Sequence, residues 1–172
     1  MTIEIVKVCG NLITLEADFI VNASNTELIL GSGVSMAFHR HCGNELQKEM
    51  NKAKDEILEK GSKILPGDVV ATHSCNADNF KFALHAAVIN YTKGTKQAER
   101  KPTLDTIKDI LYNTIPYLEW YSRKTNEEIK IVFPYLGCGA GGLNKTDVFN
   151  LFDEFTNQHF ELKCSIILCD YT

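Results

Sequence analysis

No apolar run in the 172 residues approaches the ~20 that a membrane-spanning helix needs, so no membrane association is expected. Basic charge is not in excess either: 18 Lys and Arg stand against 22 Asp and Glu, for a net charge of −4. That balance argues against a surface broadly committed to nucleic acid, although it leaves room for a local basic patch. The six cysteines, Cys9, Cys42, Cys75, Cys138, Cys164 and Cys169, include no C-x-x-C pair. Their spacing fits neither a zinc site nor a disulfide scaffold. They read as reduced and mostly buried thiols, and no metal is expected. The stretch MTIEIVKVCG carries charges where a signal peptide needs an apolar core, which points to a cytoplasmic protein. There is no internal repeat, linker or low-complexity segment. The apolar fraction of 44% and charged fraction of 23% are those of a globular chain, and residues 1–172 are read as one domain.

What is present is an alternation of strand and helix patterns. Ile3–Val8, Phe19–Val21, Asp68–Thr72, Phe82–Ile89, Lys130–Phe133 and Ser165–Leu168 read as strands. Residues 33–60 read as helical, broken at Gly43. Pro102 stands where it would open a helix at the first position. That helix runs toward Tyr121, with Pro116 as a kink or early stop. Val148, Leu151, Phe152 and Phe155 share one helical face. This rhythm predicts a three-layer α/β/α domain around a largely parallel sheet.

In such a sheet, ligands bind beyond the carboxyl ends of the strands. Two stretches qualify. VNASNTELILGSGVSMAF, residues 21–38, ends a buried strand in two asparagines and then passes through Gly31-Ser32-Gly33 into a helix. PYLGCGAGGLNKTDV, residues 134–148, places four glycines among the six residues Gly137 to Gly142. Glycine permits positive φ and close backbone approach, and a helix N-terminus offers unpaired N–H groups. Each stretch is therefore a candidate anion cradle, and two on neighbouring strands could hold a diphosphate. Neither is a Walker A loop or a dinucleotide-binding G-x-G-x-x-G.

The segments GNLITLEADFIVNASNTELILGSGVSMAF, GDVVATHSCN with FALHAAV, and FPYLGCGAGGLNKTDV occur in order from about Val6 to Asp170. Together they resemble the macro domain family. The resemblance implies a mixed, largely parallel six-stranded sheet between helices, and a cleft for ADP-ribose with no cofactor required. Members of the family bind ADP-ribose, hydrolyse it from proteins or nucleic acid, process ADP-ribose 1″-phosphate, or deacetylate O-acetyl-ADP-ribose. By resemblance, Asn11 and Leu12 fall at the adenine end and Asn22 in the strand-end motif. Asn25 faces the distal ribose. Gly31, Ser32, Gly33, Val34 and Ser35 form the first diphosphate loop. Gly137, Cys138, Gly139, Ala140, Gly141 and Gly142 form the second. The implied partner is ADP-ribose or an ADP-ribosylated macromolecule, nucleic acid only if so modified, and a monomer is expected.

The second loop, with GNLI and NYTKGTKQAERKPT, is closer to the branch containing terminal ADP-ribose protein glycohydrolases and antitoxins that remove ADP-ribose from DNA. Lys93 matches that branch's catalytic lysine. The family pattern is not kept throughout. Asn11 replaces an aspartate, Ser35 stands where one hydrolase branch has an aspartate, and Gly141 holds the place of the aspartate that assists the lysine. The adenine-stacking aromatic is not evident, with Cys169 near its place and Tyr171 just beyond. Two chemistries stay open: a Schiff base from Lys93 to the anomeric carbon, or attack by a water held by Asn25 and a phosphate. Lys93 equally reads as a solvated loop lysine beside Lys96 and Lys101. His39 and His41 are candidate bases or exposed capping residues, and His85 reads as a core histidine with its hydrogen bonds met. Cys138 reads as a nucleophile at a helix N-terminus or, better, as a small residue tolerated between glycines. Hydrolase, non-catalytic reader and nucleic-acid-binding relative are the three classes that remain.

Overall fold

The computed structural model describes residues 3–158 and 160–171. Six strands form one sheet in the order β1 (Glu4–Gly10), β6 (Cys164–Tyr171), β5 (Ile129–Pro134), β2 (Ala17–Asn25), β4 (Phe80–Ile89) and β3 (Val69–His73). All neighbours are parallel except β3 and β4, so the mixed, largely parallel sheet expected from the sequence is present. Helices α1 (Val34–Cys42) and α2 (Asn44–Glu59) cover one face, and α3 (Leu104–Ser122) and α4 (Lys145–Thr156) cover the other.

Strand alternation builds the two cores. Phe19 and Val21 of β2 pack with Ile107, Ile110, Phe152 and Phe155 on the α3/α4 side. Ile20 points the other way, to Phe38, Leu46 and Met50 of α1 and α2. Burying a side chain of this size contributes about 1.5–3 kcal/mol, which is why β2, apolar on both faces, anchors the centre. The break between α1 and α2 falls at Gly43, whose φ of 80° is open to glycine at little cost.

Two proline expectations are corrected. Pro102 does not open α3. Thr103 is the N-cap, with its hydroxyl accepting from Thr106 N–H and Thr106 Oγ1 accepting from Thr103 N–H. This reciprocal box supplies a better start than proline at the first position. For Pro116 it is the early stop that is overturned, since α3 continues through it to Ser122. Pro116 is exposed, so water can reach the carbonyl it frees on Tyr112, and Leu118 buries itself beyond it to offset the lost bond. Among the thiols, Cys42, Cys164 and Cys169 are buried, but Cys9 is exposed and Cys75 and Cys138 are half-buried. The expectation of mostly buried cysteines therefore holds for only half of them. Burial pushes Cys42 and Cys164 up to about 12.

Candidate functional site

The sheet opens where its strand order changes direction. β2 runs to Asn25 and β5 to Pro134, yet their ladder consists of Phe19 with Ile131 and Ile20 with Val132. Beyond Ile20 the two strands splay. Such a crevice, at the carboxyl ends of parallel strands and at a switch point, is where α/β sheets bind ligands. Here it is a cavity of about 630 Å³ lined by the ends of β2, β4, β5 and β6 and by both glycine loops, a size suited to a small molecule.

Loop one reaches α1 through Gly33, whose φ of 62° and ψ of −132° suit glycine alone. No side chain caps α1, and although Met36 N–H donates to the Gly33 carbonyl, the N–H groups of Val34 and Ser35 meet no acceptor among the described residues and are available to an anion. Loop two works differently. Its N–H groups of Cys138, Gly142 and Leu143 close internal turns. Those of Gly137, Gly139, Ala140 and Gly141 meet no acceptor among the described residues. The start of α4 is not part of the cradle, since the Asn144 carboxamide oxygen accepts from Thr146 and Asp147 N–H. The expectation of a second helix N-terminus at loop two, with Cys138 upon it, is thereby corrected. Burial also pushes the Cys138 thiol up, away from a nucleophilic thiolate.

Most of the sequence-derived site residues meet here: Asn25, Gly31 to Ser35 and Gly137 to Gly141 all line the cavity. Several others do not. Leu12 is fully buried in the α1/α2 core and lies outside the lining. The Asn11 carboxamide oxygen accepts from Ile13 N–H, and Asn11 lies outside the lining. Gly142 also falls outside it, with a φ of 73°. Lys93 is exposed and absent from the cavity wall. The lysine of that stretch that approaches loop two is Lys101, whose Nζ is 4.0 Å from where a Cβ on Gly142 would stand.

Asn22 lies behind the wall in a buried relay. Ser35 Oγ donates to Asn22 Oδ1 at 3.0 Å, Asn22 Nδ2 meets His85 Nδ1 at 3.0 Å, and His85 Nε2 meets Thr72 Oγ1 at 2.9 Å. Thr72 Oγ1 in turn donates to the His73 carbonyl. Each group in this chain has a partner only if His85 is neutral and protonated on Nε2. Burial agrees, lowering His85 to about 3. The relay explains why Ser35 occupies that position: its hydroxyl pins the first turn of α1 to β2.

Asn25 is also committed. Its Oδ1 accepts from Glu27 and Ile29 N–H, and its Nδ2 donates to the Ile29 carbonyl, which leaves one N–H for a ligand. Gly141 has no room for a side chain, because a Cβ would stand 2.5 Å from the Gly137 carbonyl oxygen and 2.8 Å from Pro102 Cγ. His39 and His41 pair with Asn44 and Asn79 at the far end of α1 and take no part.

Sequence reasoning missed Tyr91, Tyr135, Lys145 and Asp170 of the wall, while Tyr171 joins it from the position just past Cys169. Lys145 Nζ bonds both Asp170 oxygens, at 2.8 and 2.9 Å, and lies over the Tyr135 ring. That hydrogen bond pushes Lys145 up, and burial pushes Tyr135 up. Tyr135 follows β5 directly and Tyr91 lies two residues past the end of β4, and those positions were the available signal. The Lys145 and Asp170 pair, which joins distant parts of the chain, gave none.

A family model for the Macro domain matches residues 21–152. An uncharacterized protein, SSO2899, from Saccharolobus solfataricus is 36% identical over 89 residues, which is 52% of this chain and 48% of that protein; this match spans about half the length of that relative. An O-acetyl-ADP-ribose deacetylase of Klebsiella pneumoniae is 27% identical over 86% of this chain and 75% of its own. Among solved structures, a mutant Oceanobacillus iheyensis macrodomain with ADPR superposes with a TM-score of 0.71 at 21% identity, covering 95% of this chain and 84% of that one.

Proposed function

The chain belongs to the macro domain family, and on that basis we propose that it binds ADP-ribose, or the ADP-ribosyl group of a modified macromolecule, in the cavity where β2 and β5 part. The observation that carries this reading is the pair of loops on one cavity wall in which the N–H groups of Val34, Ser35, Gly137, Gly139, Ala140 and Gly141 meet no acceptor among the described residues. Lys145 is the one cation among the described residues lining the cavity, and Asp170 already neutralises it. A diphosphate is therefore held chiefly by backbone donors and not by cationic side chains. The tyrosines at positions 91, 135 and 171 supply flat apolar faces for base and ribose.

A non-catalytic reader fits the wall best. Lys93 is not on it, Asn25 has a single N–H to offer, and Gly141 cannot carry an acid without displacing Pro102. Hydrolysis is the second reading, and it draws on the likeness to the Klebsiella deacetylase. Processing of ADP-ribose 1″-phosphate belongs to that second reading, and a cytoplasmic location and a monomeric state belong to the proposal under either. Titration calorimetry with ADP-ribose is expected to give a Kd of about 1–100 μM, and turnover assays on glutamate-, serine- and DNA-linked ADP-ribose are expected to be silent. Turnover abolished by Lys93→Ala with affinity kept within about 1 kcal/mol would replace the reader with a lysine-dependent hydrolase.

A further inference from the structure

Four polar side chains of β2 and α1 stand at the cavity or directly behind it, and three have their partners. Asn22 is held by His85 and Ser35, Ser35 by Asn22 and the Ala23 carbonyl, and Asn25 by the turn that follows it. Ser24 is the exception. It lines the cavity and is 3% exposed, and its hydroxyl meets no partner among the described residues. A buried hydroxyl left unpaired is destabilising relative to alanine in the same place, so its presence calls for a partner that arrives from outside the chain.

The strand says where that partner sits. Side chains two apart on a strand share a face. Asn22 marks the face of Ser24 as the one toward α1, because its Oδ1 takes the Ser35 hydroxyl. Ser24 is one repeat closer to the strand end, toward the residues that precede Ser35. Those are Gly33 and Val34, at the uncapped start of α1. Ser24 is also the last β2 residue in regular register with β4. Pairing runs Ser24 with Ala87 and then Asn25 with Ile89, a bulge of the kind that re-aims side chains beside sites.

We propose that Ser24 is a ligand-contact residue whose hydroxyl donates to a phosphoryl oxygen held at the start of α1. It extends the backbone cradle with one side-chain donor that can also accept. The inference rests on the reading of the cavity as an ADP-ribose site and adds to it the group that grips the phosphate from the sheet side.

The test is Ser24→Ala, read by thermal melting of the free protein and by calorimetry with ADP-ribose and with ADP. The melting temperature is expected to hold or rise, because the unpaired hydroxyl is gone. Affinity for both ligands is expected to fall about tenfold, the size of one lost hydrogen bond to a charged group. Equal affinities in wild type and variant would overturn the proposal. So would a lowered melting temperature, which would show that the hydroxyl is already used within the free protein. A fall for ADP-ribose but not for ADP would move the contact to a ribosyl oxygen and refute the phosphate assignment. A wild type that binds neither ligand would refute the reading of the cavity itself, which is a separate result.

Discussion

His85 should make the protein acid-sensitive through one identifiable proton. Its imidazole lies between Asn22 and Thr72, and in the fold burial lowers it from 6.5 to about 3. The unfolded chain takes up the proton below about pH 6.5 while the folded chain refuses it until about pH 3, so stability is complete above that window and is lost as pH falls through it. The gap is worth about 4–5 kcal/mol in full, at about 1.4 kcal/mol per pKa unit. Protonation would also set a second N–H against the Asn22 amide, breaking the relay that pins Ser35 and the start of α1. The assay is urea unfolding of wild type and His85→Gln from about pH 7.5 to about pH 4.5. Over that range the wild type should lose about 3 kcal/mol more than the variant, whatever the substitution costs at neutral pH. Parallel pH profiles would refute the reasoning, because they would mean that His85 titrates alike in both states.

Gly139→Glu should abolish ADP-ribose binding with little change in melting temperature, since a Cβ there meets open space on the cavity wall; calorimetry showing retained affinity would place the diphosphate elsewhere. Gly141→Ala should cost about 1–3 kcal/mol of stability by overpacking, because its Cβ would clash with the Gly137 backbone and Pro102; denaturant midpoints would reveal an unchanged stability if the loop yields freely. Asn25→Ala removes three hydrogen bonds that close the turn to Ile29, each worth about 1 kcal/mol net, so both melting temperature and ADP-ribose affinity should fall, and a loss of affinity alone would contradict a bracing role.

The layers, the strands and the two glycine loops could be read from the chain because each is a local pattern: apolar runs, a 3.6-residue period, glycines after a strand. Most of what escaped the reading depends on partners far apart in sequence. β2 extends to Asn25, past its apolar run, because Asn22 finds His85 63 residues away. The cavity exists because β2 and β5 stop pairing after Ile20, which no single segment announces. Gly141 was legible as a missing acid, but that Pro102 fills the neighbouring space was not. The α3 start went to Pro102 on preference for the first helical position, where the Thr103 and Thr106 box was the stronger local signal. Lys93 was placed by likeness to a motif, and the turn around Gly94 leaves it off the wall.

The central claim is that the backbone of the two loops holds the diphosphate of ADP-ribose. An amide-resolved NMR titration with ADP-ribose tests it most directly. Saturable shifts concentrated at the amides of Gly33, Val34, Ser35, Gly139, Ala140 and Gly141 are the predicted result. Saturable binding whose shifts leave these amides unmoved and gather around Trp120 and His73, which line a separate apolar groove, would contradict it.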